Sequence, residues 1–292
     1  MDASLTQTLV EKRKIRVRLS AGEIVKWIFA IAFLIMALFP LWWMFNICFS
    51  KPGIPIALNP RLYPSSIVDG IANIKAVLGE SHVIDAYIHS LEYSFLTIAG
   101  SLLVTSLAAF EFALYEFPGK KILFGIVLLA LMIPTAVTLV PTYLFVTKLG
   151  WLNTMQGLVV PGLASAFGLF MLTQFFESVP KEIMDAALID GASHFGVYWY
   201  VVMPLSRNAL VTLAILTFMS TWGNFIWPLV IAKNTDIITV SQMINWYNDP
   251  NSFMTVNLEM TAFLLAAVLP ITVYIIFQRQ IIQGISMSGI KG

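Results

Sequence analysis

The chain has 292 residues, 58% of them hydrophobic and 11% charged, against roughly 25% charged in an ordinary soluble domain. The formal net charge of +1 comes with no basic patch interleaved with aromatics, which excludes a nucleic-acid partner. A single cysteine, Cys48, excludes an internal disulfide framework and a multi-Cys metal site, and His82, His89 and His194 have no metal-ligand spacing, so no metal is expected.

What remains is an all-α polytopic membrane protein, because a helix needs about 20 apolar residues to cross the hydrocarbon core. Residues 1–26 are basic and precede a first apolar run at 27–49. That run is too long for a signal-peptide core and no A-x-A site follows, so it reads as an uncleaved span. A polar loop, 50–90, opens with "SKPGIPIALNPRLYPSS" and places His82 and His89 in solvent. The second span, 91–114, carries Glu111 near its end, and "YEFPGKK" leads into the third, 122–146. In that third span "MIPTAVTLVP" holds Pro134 and Pro141, and paired prolines predict a bend. A turn near 147–156 precedes the fourth span, 157–176. The fifth, 208–231, and sixth, 257–279, are separated by a loop at 232–256. Residues 27–280 thus form a six-span domain, followed by a glycine-rich tail, 281–292.

Lysine and arginine in short loops stay in the cytoplasm. With the N-terminus inside, twelve of the 17 lie on one side, among them Lys12, Arg13, Lys14, Lys120, Lys181, Arg207 and Arg279. Lys51, Arg61, Lys75, Lys148 and Lys233 lie on the other. Both termini and the loop at 178–206 are therefore expected in the cytoplasm, with 50–90 and 232–256 outside.

The loop "EIMDAALIDGASHFGVYWYVVMPLSR" breaks the apolar pattern. Ser178 is suited to cap a helix and Pro180 to its first turn. Ile183, Met184, Ala187 and Leu188 recur at helical spacing, and Glu182 and Asp185 sit near the N-terminus, where negative charge is favoured. Gly191 is placed to end this helix, Ser193 to cap a second with Phe195, Tyr198, Trp199 and Val202 on one face, and Pro204 to end that one. The apolar stripe fits either a partner groove or the lipid interface.

Two other places mix aromatic rings with amides or hydroxyls. In "TFMSTWGNFIWPL", Thr221, Trp222, Asn224 and Trp227 fit a substrate path or, equally, interhelical glue, because buried polar groups in a membrane need partners or a cavity. In "MINWYNDPNS", Asn245, Trp246, Tyr247 and Asn248 fit an external contact surface or an aromatic belt. No G-x-x-x-x-G-K-[ST] occurs, "PGKK" lacks the rest of a P-loop, and no G-x-S-x-G or H-E-x-x-H is present. No catalytic residue is therefore assigned. An ion-coupled carrier is the competing expectation, and it would carry inverted repeats and discontinuous helices.

"DAALIDGASHFGVYWYVVMP" resembles the EAA loop of ABC-importer permeases, with Asp185, Ala186, Ala187, Gly191, Val201, Met203 and Pro204 in register. "IDGA", which includes Asp190, is similar to the carbohydrate-importer version. "QFFESVPKEI", "FMSTWGNFIWPLVI" and "MSGIKG" resemble the shorter, six-span permease of the maltose-transporter type. Asp185 stands where that family usually has Glu, one methylene longer. The resemblance implies the type I ABC importer permease fold in a bacterial inner membrane. It implies a second homologous permease, two ATP-binding subunits that use ATP and Mg, and an extracytoplasmic solute-binding protein. This chain itself would bind no cofactor and catalyse nothing. The loop would be the coupling helix seated in an ATPase, residues 245–248 would reach the binding protein, and the tail would insert between the ATPases.

Overall fold

The computed structural model describes residues 21–51, 62–80, 82–247 and 255–288, and every regular element among them is helical. The chain divides into two units, residues 1–44 and 45–292. The first is described from residue 21 and consists of most of α1 (Ala21–Cys48), a helix with Pro40 inside it. Its Ile28, Phe29 and Phe33 side chains are exposed, as suits a helix meeting lipid.

In the second unit, α2 (Ile67–Gly79) is capped by Ser66, whose hydroxyl accepts from the Asp69 amide at 3.1 Å. The sequence reading leaves this stretch as loop, because 13 residues cannot span and carry no long apolar run. Helix α3 (Val83–Leu114) begins eight residues before the expected span. Polar Asp85 and His89 hide this first part from a hydropathy window. His89 is half-buried and its Nδ1 lies 3.3 Å from the Ile238 carbonyl, so it is not the solvated loop residue expected.

The third span is α4 (Lys120–Ala130) and α5 (Thr135–Lys148), bent by 103° where Pro134 adopts extended geometry. The bend follows from proline's missing donor and its clash with the preceding turn. The fourth is α6 (Met155–Val159), a 3-10 turn at Val160–Gly162, and α7 (Ala166–Glu177), bent by 46°. The loop holds α8 (Lys181–Ile189), α9 (His194–Val197) and α10 (Met203–Leu205). The fifth span is α11 (Arg207–Trp222) and, past a break at 223–225, α12 (Ile226–Ile231). Helix α13 (Val240–Tyr247) occupies the following loop, and α14 (Val256–Ser288) runs beyond the expected span into the tail. Three helices, α1, α3 and α14, are long and apolar enough to cross a membrane singly, and up to six crossings are reached if each bent helix pair counts as one.

Helix α3 is the centre of the packing, chiefly against α7 and α11. Its buried face is mostly small and polar, with Ala86, Ser90, Ser94, Thr97, Ser101, Thr105, Ser106 and Ala109 beside the larger Val83, Tyr93 and Phe110. Leu91, Phe95 and Leu103 point outward. This inverts the soluble pattern, because lipid is as apolar as leucine and helices associate there through close packing of small side chains and interhelical hydrogen bonds.

Two buried asparagines close the end of α1, whose last carbonyls lack helical partners. Asn73 Nδ2 donates to the Cys48 carbonyl at 2.8 Å and to that of Ser50 at 3.1 Å. Asn257 Nδ2 donates to the carbonyls of Ile47 at 3.1 Å and Ser50 at 2.9 Å. Asn257→Leu, similar in volume, removes two hydrogen bonds while Ile47 keeps the Ser50 amide and Ser50 keeps Asn73, at a cost of about 0.5–1.5 kcal/mol per bond. The expected result is a lower thermal midpoint for the detergent-purified protein, and an unchanged midpoint would show that the clamp contributes nothing.

Candidate transport cavity and coupling loop

Breaks in three spans come together. A cavity of 770 Å³ is lined by Thr135 beside the first break, Pro161 and Gly162 beside the second, and Gly223, Asn224 and Phe225 at the third. A smaller one of 280 Å³ shares Tyr93, Gly162, Ser220 and Asn224 with it and extends along α3. Irregular backbone at membrane depth is tolerated where it lines a cavity or is buried in protein, because lipid cannot satisfy its polar groups.

The four residues expected near this path separate. Asn224 lines both cavities, and its Oδ1 accepts from the Trp227 amide at 3.2 Å, closing the break before α12. Trp227 lines the larger cavity and donates its indole N–H to the carbonyls of Gly157 and Leu158, each at 3.2 Å. Thr221 lines the smaller one and donates to Ser94 Oγ at 3.0 Å, bridging α11 and α3. Trp222 departs from the expectation. It is buried against Phe218 and Tyr87, and its Nε1 donates to the Ala266 carbonyl at 3.1 Å, away from either cavity wall. One helical step turns it toward α14, so it is interhelical glue.

The sequence reading missed the α3 side of the cavities. Tyr93, Thr97 and Ser101 all line the smaller one. The signal was a hydroxyl every three or four residues from Ser90 to Thr105, a single-face spacing. Spacing alone does not reveal which hydroxyls go unpaired, since Ser and Thr in helices often bond their own backbone.

In the loop at 178–206, Gly191 has φ +90°, and the amides of Gly191 and Ala192 donate to the carbonyls of Leu188 and Ala187 at 3.1 and 2.9 Å. This pair of bonds is a Schellman closure, which needs a left-handed residue. Ser193 Oγ accepts from the Gly196 amide at 3.1 Å, as expected of a cap. Ser178 does not cap α8: its hydroxyl donates to the Phe175 carbonyl at 2.6 Å, ending α7, and Pro180 stands at the start of α8.

Pro204 does not end the second helix either. A π-turn at Tyr198–Val202 carries the helix on through Leu205. The wider turn accommodates the proline, which cannot donate to the preceding turn and would press on its carbonyl. The turn also splits the predicted apolar face. Tyr198 and Val202 are buried while Phe195 and Trp199 are exposed. Tyr198 packs edge-on against Phe110, and its hydroxyl lies 2.7 Å from Ser106 Oγ. Tyr115 hydrogen-bonds His194 Nδ1. The loop is thereby held to the end of α3, the helix that forms one wall of the smaller cavity. Outside the membrane helices, Lys120 holds the Glu116 carboxyl below its usual range through a 2.9 Å hydrogen bond.

Toward solvent the loop presents Ile183, Leu188, Ile189 and Phe195 together with Asp185, Ala186, Asp190 and Gly191, all exposed. Asp185 makes no ion pair among the described residues. In the loop between the fifth and sixth spans, Asn245 and Trp246 are exposed on α13, Tyr247 closes that helix, and Asn248 lies outside the described residues.

Broken helices around a polar cavity, together with a surface helix pair presented to solvent, define a membrane permease. Residues 101–287 match the binding-protein-dependent transport system inner membrane component family, and the chain belongs to it. It is similar to the arabinooligosaccharides transport system permease protein AraQ of Halalkalibacterium halodurans, 31% identical over 70% of this chain and 73% of that one. It is also similar to the sn-glycerol-3-phosphate transport system permease protein UgpE of Rhizobium meliloti, 26% identical over 95% and 98% of the two chains. In fold it matches a chain of a bacterial ABC transporter involved in import of the acidic polysaccharide alginate, with a TM-score of 0.80, 20% identity, and coverage of 88% of this chain and 95% of the other. The chain is a transmembrane permease component of an ATP-binding-cassette importer.

Proposed function

We propose that this permease forms, with a second homologous permease subunit, the translocation path for an oligosaccharide or similar polyhydroxylated solute. Residues 178–206 couple that path to two separate ATP-binding subunits, and an extracytoplasmic solute-binding protein delivers the solute near Asn245–Asn248. Both termini and the coupling loop face the cytoplasm, in keeping with the distribution of Lys and Arg. ATP closes the ATPase pair, the loop follows, and the spans open outward to receive the solute. Hydrolysis returns them inward. Catalysis belongs to the partners.

The observation that carries this reading is the 770 Å³ cavity at the meeting of three helix breaks. Its wall combines the hydroxyls of Thr138, Thr142 and Ser220, the Asn224 amide and the Trp227 indole, and it includes no ionised side chain. Sugars present hydroxyls at their edges and C–H faces to rings, which this wall answers. The name of the arabinooligosaccharide relative points the same way. Discontinuous helices would also suit an ion-coupled carrier, but membership of a binding-protein-dependent family favours an ATP-driven cycle.

The test is uptake by the complete importer in proteoliposomes containing internal ATP. Labelled arabinotriose or maltotriose is expected to enter, vanadate to stop it, and an ionophore to leave it unchanged. Uptake of sn-glycerol 3-phosphate alone would overturn the substrate class, and uptake lost to the ionophore but not to vanadate would overturn the energy source.

A further inference from the structure

Helix α3 covers the one expected span without a proline. The others hold Pro40, Pro134 with Pro141, Pro161, Pro228 and Pro270. Its 32 residues run without a break, for a length of about 48 Å. Toward its start, Ser90 Oγ accepts from the Val240 amide at 2.8 Å, where α13 begins. Toward its end, Ser106 Oγ lies 2.7 Å from the Tyr198 hydroxyl, and Phe110, one turn on, meets the Tyr198 ring edge-on with centroids 5.3 Å apart. Ser106 Oγ donates to the Leu103 carbonyl at 3.4 Å, which leaves its lone pairs for the Tyr198 proton. On its other side the Tyr198 ring stacks on Phe195 at 5.8 Å, and Phe195 is exposed on the face that the loop presents to solvent.

From this arrangement we infer that Tyr198 is the positioning residue that carries movement of the loop at 178–206 into α3, acting through Ser106, and that α3 passes it on as a rigid rod to α13. The inference rests on the coupling reading above and deepens it: the inner loop and the outer loop are the two ends of one lever.

Three physical points lead there. First, Tyr198 and Ser106 are 1% and 0% exposed, so water cannot replace their bond during a movement. Parting them strands the Tyr198 proton in a buried site, and the two therefore shift together. The exposed bond between Tyr115 and His194 lacks this property, because water takes over from either partner. Second, helices bend at prolines and at breaks, where displacement is absorbed. Helix α3 has neither, so displacement at Ser106 reaches Ser90. Third, the contacts are contiguous: Phe195 to Tyr198, Tyr198 to Ser106 and Phe110, and Ser90 to Val240. Coupling between distant sites is carried by such packed and hydrogen-bonded chains joined by rigid elements. Tyr198 also opens the π-turn, its carbonyl accepting from the Met203 amide, and single π-turns within helices are frequent at functional sites.

The experiment uses the complete importer with its solute-binding protein in proteoliposomes. It measures ATP hydrolysed per molecule imported, with labelled arabinotriose, maltotriose or sn-glycerol 3-phosphate, whichever the uptake experiment shows to enter. ATPase co-purification and the thermal midpoint are followed alongside. Tyr198→Phe keeps the ring and loses the hydroxyl, and Ser106→Ala removes its partner. Each is expected to raise the ATP used per solute about 3- to 10-fold, with the ATPase still bound. The double variant should raise it no further, because both changes break one bond. An unchanged ratio in either assembled single variant, even with a lower thermal midpoint, would show a purely structural bond and overturn the proposal. So would a double variant whose effect is the product of the two singles. If Tyr198→Phe fails to assemble, Ser106→Ala decides by the same ratio. Asp185→Lys separates the failures. If that variant keeps its ATPase and its uptake, the loop is not the coupling element and both readings fall. If it loses them while the ratio at Tyr198 is unchanged, only the rod falls.

Discussion

Asp185→Lys is expected to strip the ATPase subunits from the purified complex and reduce solute uptake at least 30-fold, with membrane insertion unchanged. The side chain is exposed, lies on α8 and has no ionic partner among the described residues, so its loss costs the isolated permease little. The partner surface bears the effect. Removing one member of a hydrogen-bonded charge pair at an interface costs about 2–5 kcal/mol, and reversing its sign adds repulsion. The flanking apolar groups Ile183 and Leu188 supply contact area but no register. Asp185→Glu restores the carboxylate with a longer arm and should retain most uptake. Co-purification of the ATPase in detergent and vesicle uptake are the two measurements. Normal values for both in the lysine variant would remove α8 from the coupling interface.

A second large effect is expected at Gly157, and it acts on the fold. A Cβ there would sit 2.2 Å from the Trp151 carbonyl oxygen and 3.2 Å from Ile231 Cγ2. The first neighbour is backbone and cannot swing aside. The Gly157 amide also donates to Thr154 Oγ1 at 3.2 Å, and its carbonyl receives the Trp227 indole. Gly157→Ala therefore either pushes α6 away from the Trp151 turn or distorts the capped turn itself, at about 1–3 kcal/mol by analogy with overpacked cores. Thermal unfolding of the purified complex should shift downward, and Trp227 fluorescence should change as its anchor moves. A variant as stable as wild type, with the same emission, would show that the close approach is not obligatory.

Features of the fold that depend on local chemistry were legible. Proline at 134 implied the bent third span, and glycine at 191 followed by serine at 193 implied a jointed helix pair, because each residue imposes its geometry without outside help. Features that depend on distant partners were not. Nothing near Trp222 in sequence announces that Ala266 takes its indole proton, or that Asn224 rather than Trp222 faces the cavity. Ser178 had the right identity for a cap, but Val179 and Pro180 delay the helix by two residues. The π-turn is not legible because a proline at 204 reads as a helix end, whereas the wider turn at Tyr198–Val202 lets the helix continue past it. The polar face of α3 was present as spacing, yet its meaning required knowing which hydroxyls the neighbouring helices use.

The asparagine closure of α1 has a consequence for biogenesis. Ser50 and Asn257 are 207 positions apart. At a synthesis rate of about 5–20 residues per second, roughly 10–40 s pass between emergence of the two from the ribosome. During that interval the end of the first inserted segment is held by nearby groups, Asn73 on the Cys48 and Ser50 carbonyls and the Ser65 and Ser66 amides on that of Phe49, and the last segment to leave the translocon completes the closure. Nascent chains truncated before Asn257 should accordingly be more readily degraded by membrane proteases than chains that extend past it.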